Sequence, residues 1–178
     1  LFSMWLAFST AAFHRAYVNE AQESFTDAHV RAFERFDGVP RLVRYDNLKT
    51  AATKILKGRD RTENERFIAL RSHYGFESFF CEPGIAGAHE KGGVEGDIGR
   101  FRRNHLVPMP RVASIAELND LLAAADAADD DRRIGLRTAT VGEAFAAEAP
   151  FLKPLPADGF ETGLELTPRV DRHARITV

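Results

Sequence analysis

Hydrophobic and polar residues alternate from the start of the chain, where Phe2, Met4, Leu6 and Phe8 interleave with Ser3, Trp5, Ala7 and Ser9. A period of two predicts a strand. A turn near Ser9 to Ala11 leads into a second strand from Phe13 to Val18, and the pair predicts an antiparallel hairpin. The period then lengthens. Phe25, Ala28, Ala32, Phe33 and Phe36 form the apolar stripe of a helix, opened by Ser24 with Asp27 as a capping box and ended by Gly38. Leu42 to Asp46 is a short strand that ends on a carboxylate. The basic stretch Thr50 to Arg61 lacks clear periodicity and reads as a loop. Glu63 to Tyr74 is a helix packing through Phe67, Leu70 and Tyr74 and closed by Gly75, and Glu77 to Cys81 is a strand stopped by Pro83 and Gly84.

Four glycines between Gly84 and Gly93 predict a mobile stretch. A helix carrying Val94, Ile98 and Phe101 follows and ends before Pro108. Beyond Pro110 the character changes. Ser114 and Glu117 make a capping box for a helix with Leu118, Leu121, Leu122 and Ala125 on one face, and Asp126 to Arg133 is a charged break. Thr140 and Glu143 open a short helix through Phe145, after which Pro150, Pro154 and Pro156 make a stiff linker and Leu164 to Val178 two short strands. This order of elements is that of an α/β fold, a mixed sheet with helices against it. Both ends fall inside strand-like patterns, at Leu1 to Trp5 and at Ile176 to Val178, so both are read as cut.

Composition narrows the classes. The 178 residues are 44% hydrophobic and 28% charged, ordinary proportions for a folded domain. No window approaches 18 uninterrupted apolar residues, which excludes a helical membrane span and leads us to expect a soluble, cytoplasmic protein. Cys81 is the only cysteine, so neither an internal disulfide nor a CxxC zinc site is open to the chain. Trp5 reads as a core residue, Cys81 as buried, and the histidines, His14 and His29 among them, as solvated.

The net charge of -2 hides an uneven distribution. Arg41 to His105 holds 13 basic and 9 acidic residues, whereas the rest of the chain holds 11 and 17. Within the basic half, Asp46 stands at the carboxyl end of a strand, where α/β folds place ligands. Glu95 stands near the start of a helix, beside Val94 and Ile98. Two such carboxylates suit Mg²⁺, which takes hard oxygen ligands and keeps positions for phosphate and water. The spacing alone also fits a turn-capping aspartate and a glutamate paired to arginine. Arg102 lies seven residues after Glu95, on the same helix side, with Arg100 and Arg103 nearby. Positive charge around carboxylates is what a phosphate backbone requires, although arginines on a helix are commonly just solvated.

Several motifs in order, Tyr45-Asp46-Asn47-Leu48-Lys49-Thr50-Ala51, Asn64-Glu65-Arg66-Phe67, His73-Tyr74-Gly75-Phe76, Glu90-Lys91-Gly92-Gly93-Val94-Glu95 and Arg102-Arg103-Asn104, resemble the integrase-type core of IstA-like insertion-sequence transposases. The resemblance runs over residues 1–110. Residues 111–156 resemble that family's helical connector, and 157–178 the start of its small C-terminal β-barrel. It implies a ribonuclease H-like mixed sheet flanked by helices, with two aspartates and a glutamate holding two Mg²⁺ (or Mn²⁺) ions. Asp46 matches the second aspartate and Glu95 the glutamate. It further implies 3′-end cleavage and strand transfer on DNA, an AAA+ ATPase helper, and a homo-oligomer in the working complex. Asn47, Lys49, Lys91, Arg100, Arg102 and Arg103 are the expected DNA contacts.

The family's first aspartate belongs to a strand before the Leu1 hairpin, and neither Glu20, Glu23 nor Asp27 can replace it, since all three follow the hairpin. The 178 residues alone are therefore expected to be inactive. The rival reading is a DNA-binding remnant of a transposase without chemistry. Glu90 is the alternative to Glu95 across Lys91-Gly92-Gly93, and a zinc site from His73, Cys81 and His89 fails on its spacing and its missing fourth ligand.

Overall fold

Helix α1, Gln22–Arg35, packs against the first two strands of the computed structural model. The structure describes residues 1–45, 52–55, 61–81, 88–163, 172 and 175, with 52–55, 61–63, 88–95 and 97 described as backbone. Strands β1 (Phe2–Trp5) and β2 (Ala12–Arg15) form an antiparallel hairpin in which Phe2 faces Arg15 and Met4 faces Phe13. Strand β3 (Leu42–Tyr45) pairs with β6 (Glu77–Phe80) in parallel, Leu42 opposite Glu77 and Tyr45 opposite Phe80. Parallel pairing needs a crossover, and helix α2 (Glu65–Tyr74) lies within it. Among the described residues no ladder joins β1–β2 to β3–β6. Helices α3 (Ala88–His105), α4 (Ile115–Asp129) and α5 (Val141–Glu148) follow, with a 3₁₀ turn over Ala149–Phe151.

The core is aromatic. Phe33, Phe36, Phe67 and Leu70 are fully buried, and Phe25, Tyr45, Phe76 and Phe80 close around them. The predicted stripe of α1 is buried as its spacing requires. Its start differs: α1 begins at Gln22, and Ser24 does not cap it. The Asn19 side chain accepts both the Ala21 N–H and the Ser24 hydroxyl, so a turn centred on Asn19 leads the chain into the helix. Gly75 ends α2 with φ of 67°, the left-handed cap its sequence predicts.

Other expectations need correction. The hairpin turn begins earlier than the alternation suggests: Leu6 N–H donates to the Ala11 carbonyl and Thr10 N–H to that of Leu6. Phe8 is therefore exposed and Trp5 only half-buried. Part of the expected loop Thr50 to Arg61 is strand, β4 (Ala52–Ile55) pairing antiparallel with β5 (Arg61–Glu63), in keeping with the β-branched Thr53 and Ile55. Of the glycine-rich stretch Gly84 to Gly93, residues 88–93 are helical and 84–87 lie outside the described residues; a glycine costs a helix interior about 1 kcal/mol, which longer-range packing can offset.

The largest correction concerns α4. It runs through the expected break to Asp129, buries Asp126 and leaves Leu121 exposed. Asn119, Leu122 and Asp126, spaced along one stripe, face β2. Asn119 Oδ1 accepts the Ala16 N–H at 2.7 Å, its amide donates to the Ala16 carbonyl, and Asp126 Oδ2 accepts the His14 N–H at 2.7 Å. The helix thereby satisfies the open edge of the hairpin, a task that requires polar residues on its buried face. Glu148 of α5 accepts the Ser9 N–H, and Val141 joins the core.

The Pro-rich segment also folds back: Val39 and Lys153 exchange both backbone hydrogen bonds, at 2.8 and 2.9 Å. Gly38 permits this approach, because a Cβ there would stand 2.8 Å from that of Leu152. The two strands expected over Leu164 to Val178 lie outside the described residues, except for Arg172 and Arg175.

Candidate functional site

Strand β3 alternates cleanly, with Leu42 and Arg44 exposed and Val43 and Tyr45 buried. Its last residue, Tyr45, directly precedes Asp46. The Tyr45 carbonyl accepts the Cys81 N–H at 2.9 Å, so pairing with β6 persists to the end of the strand. The Tyr45 ring packs against Phe25, Phe67 and Phe80, and its hydroxyl stands 2.9 Å from His29 Nε2. Asp46, Asn47 and Lys49 themselves lie outside the described residues.

Helix α3 carries Lys91, Glu95, Arg100, Arg102 and Arg103 on one continuous element. The side chains of Lys91 and Glu95 are outside the described set, so the meeting of Glu95 with Asp46 is too. Phe101 is fully buried and stacks on the His14 ring with centroids 3.5 Å apart and planes at 11°. Arg100 turns to α4, where it meets Asp129 at 2.5 and 3.4 Å. Arg102 and Arg103 are exposed, and Arg103 lies back over Gly99. They place positive charge on the last turn, where the helix dipole favours it.

Two buried histidines were hidden from the sequence reading, which made them solvated. His14 sits between β2 and α4, its Nδ1 2.6 Å from Asp126 Oδ1. His29 is fully buried, and burial pushes its pKa down to about 4, opposed only in part by a hydrogen bond with the Phe25 carbonyl. Helical phase was the available signal for His29, four residues after Phe25 and four before Phe33. For His14 no local signal exists, because its partner is 112 residues away.

Cys81 is buried, as expected. His73 is engaged elsewhere, with the Asp158 carbonyl, and among the described residues no group of three or more His, Cys, Asp or Glu side chains stands ready for a metal. No helix among them is long and apolar enough to cross a membrane.

No family model matches the chain. Curated proteins do. The chain is 38% identical over 176 residues to a transposase from Aminobacter aminovorans, and 39% identical over 166 residues to the transposase for insertion sequences IS1326/IS1353 from Pseudomonas aeruginosa. Each match covers 93% of this chain and 32% of the relative, so the chain spans about a third of the length of these proteins. Among solved structures, a chain of the simian T-cell lymphotropic virus intasome aligns with a TM-score of 0.57 at 13% identity, over 89% of this chain and 51% of that one. At that identity the likeness concerns the fold alone, and the fold is one found in an intasome. The mixed α/β chain is thus similar in sequence to insertion-sequence transposases along nearly its whole length.

Proposed function

We propose that these residues form the catalytic core of a DNA transposase, an integrase-like unit of ribonuclease H type that cleaves the 3′ ends of its element and joins them to target DNA. The observation that carries this reading is the similarity to insertion-sequence transposases over 93% of the chain. The shared fold with an intasome chain supports it independently.

Asp46 and Glu95 are the proposed metal ligands in this chain, with a third carboxylate supplied by polypeptide outside these 178 residues. Their chemistry fits Mg²⁺ or Mn²⁺, since carboxylate oxygens are the hard ligands such ions prefer. Two bound ions would activate the attacking oxygen and stabilise the leaving one. The chain's own part is to hold the carboxylates on a strand end and a helix, and to bind the phosphate backbone. Lys91, Arg102 and Arg103 on α3, with Asn47 and Lys49 after β3, are the proposed backbone contacts; Arg100 is tied to Asp129 and contributes chiefly to joining α3 to α4. DNA ends and target, an AAA+ ATPase helper and further copies of the chain are the proposed partners, in the bacterial cytoplasm.

The test is strand transfer by the full-length protein on duplexes ending in the element termini. The proposal predicts joined products that require Mg²⁺ or Mn²⁺. A DNA-binding remnant would instead bind DNA with an affinity that falls steeply with salt, ignore the divalent ion and yield no joined product.

A further inference from the structure

We infer that Val107 and Met109 form an apolar wedge that enters a base step of bound duplex DNA, with Arg102, Arg103 and Arg111 on the phosphates to either side. The inference rests on the reading of the chain as a DNA-binding unit given above.

The connector between α3 and α4 is short and held at both ends. On one side Phe101 is buried against His14, and the Leu106 N–H donates to the Arg102 carbonyl at 2.9 Å. On the other, the Ala113 N–H donates to Glu117 Oε2 at 2.6 Å, and the Ser114 side chain caps α4. Pro108 and Pro110 fix two of the backbone φ angles between these anchors. On this tethered tip Val107 is 67% and Met109 83% exposed, and Pro108 between them is exposed too. Neither side chain stabilises the fold from there, since apolar surface contributes only where water leaves it. One such residue alone is ordinary on a surface. Two within three residues, on a tip that loses little conformational freedom when it docks, make a preorganised contact.

The charge around the tip selects its occupant. No acidic residue lies between Ile98 and Ala116, a stretch that holds Arg100, Arg102, Arg103 and Arg111. Arg100 is tied to Asp129, whereas Arg102, Arg103 and Arg111 are exposed. Glu117, the next acid along the chain, is turned to the Ala113 N–H. Arginines flanking an apolar tip complement a partner that is phosphate outside and apolar within, which describes a DNA duplex. Phosphates alone would engage the arginines and leave Val107 and Met109 in water. The apolar surface that a duplex holds is its stacked base faces, and these become accessible when a step opens. Proteins that insert Met, Leu or Pro side chains in this way kink the duplex by about 20–90°.

The experiment places 2-aminopurine at successive positions of a duplex ending in the element terminus and adds full-length protein. Fluorescence reports an opened step, and energy transfer between labelled ends reports the kink. Wild type is expected to brighten the probe at one step and to bring the ends closer. The double variant Val107→Ser with Met109→Ser changes two side chains that lie in water. It is expected to keep the thermal midpoint and the salt dependence of binding, and to lose both the brightening and the kink. Arg111→Ala is expected to lower the slope of log affinity against log salt by about one and to keep the brightening. No brightening by wild type on a duplex that it binds, or equal brightening by the double variant, would overturn the wedge and leave DNA binding standing. A double variant that brightens the probe as wild type does but no longer self-associates in sedimentation would overturn it too, and would assign the tip to a second copy of the chain. Absence of salt-dependent duplex binding by wild type would overturn both readings.

Discussion

His14 and Asp126 hold each other twice: Asp126 Oδ1 lies 2.6 Å from the imidazole Nδ1, while Oδ2 accepts the His14 backbone N–H at 2.7 Å. Both side chains are about 2% exposed. The far face of the imidazole plane is covered by Phe101 of α3, so one carboxylate on α4 organises the hairpin edge and, through the ring, the helix that carries Glu95.

Removing that carboxylate strips partners from a buried N–H and a buried ring nitrogen at once. Asp126→Ala is expected to lower stability by about 2–3 kcal/mol, the cost of leaving buried polar groups unmade. Asp126→Asn, which keeps an acceptor for the N–H, is expected to lose less. Urea unfolding of the full-length protein, followed by hydrogen exchange in β2 and α4, measures both. Equal stability of Asp126→Ala and wild type would contradict the account.

The buried His29 makes stability depend on pH. Its folded pKa, about 4, lies below the ordinary 6.5, so the unfolded chain takes up the proton first as pH falls. The full contribution is present above about pH 6.5 and is lost progressively between there and pH 4. Below pH 4 both states are protonated and the loss stops growing, at roughly 3 kcal/mol. Urea unfolding at pH 7, 5.5 and 4.5 is expected to show this slope in wild type and a shallower one in His29→Gln.

Two glycines make opposite demands. Gly75 occupies φ of 67° with its nearest neighbour 3.7 Å from a built Cβ, so Gly75→Ala is expected to cost about 1 kcal/mol through backbone strain alone. At Gly38 the obstacle is steric, the Leu152 Cβ at 2.8 Å. Gly38→Ala is expected to weaken the Val39–Lys153 pairing, read as faster amide exchange at these two residues, while exchange in α2 is unchanged.

Much of this architecture was legible because local periodicity and long-range packing agree. The stripe from Phe25 to Phe36, the short β3, the capped helices α2 and α5 and the buried Cys81 each satisfy their own pattern and the core together. Legibility failed where a residue answers to a distant partner. Asp126 reads as the start of a charged break until β2 supplies the N–H that it caps. His29 reads as polar until Tyr45 supplies the donor. The Pro-rich segment reads as a linker until Gly38 makes room for it at Val39. The sequence motifs pointed to Asp46 and Glu95; the burial of His29 could have been read from its helical phase between Phe25 and Phe33, whereas that of His14 could not. The pairing of Arg100 with Asp129, 29 residues further on, is another such distant partner.

The most direct test of the central proposal is strand transfer by full-length Asp46→Ala and Glu95→Ala, with thermal midpoint and DNA binding measured on the same preparations. The account predicts that each variant folds, still binds DNA and forms no joined product at any Mg²⁺ or Mn²⁺ concentration. Joined products from either variant at the wild-type rate would contradict it.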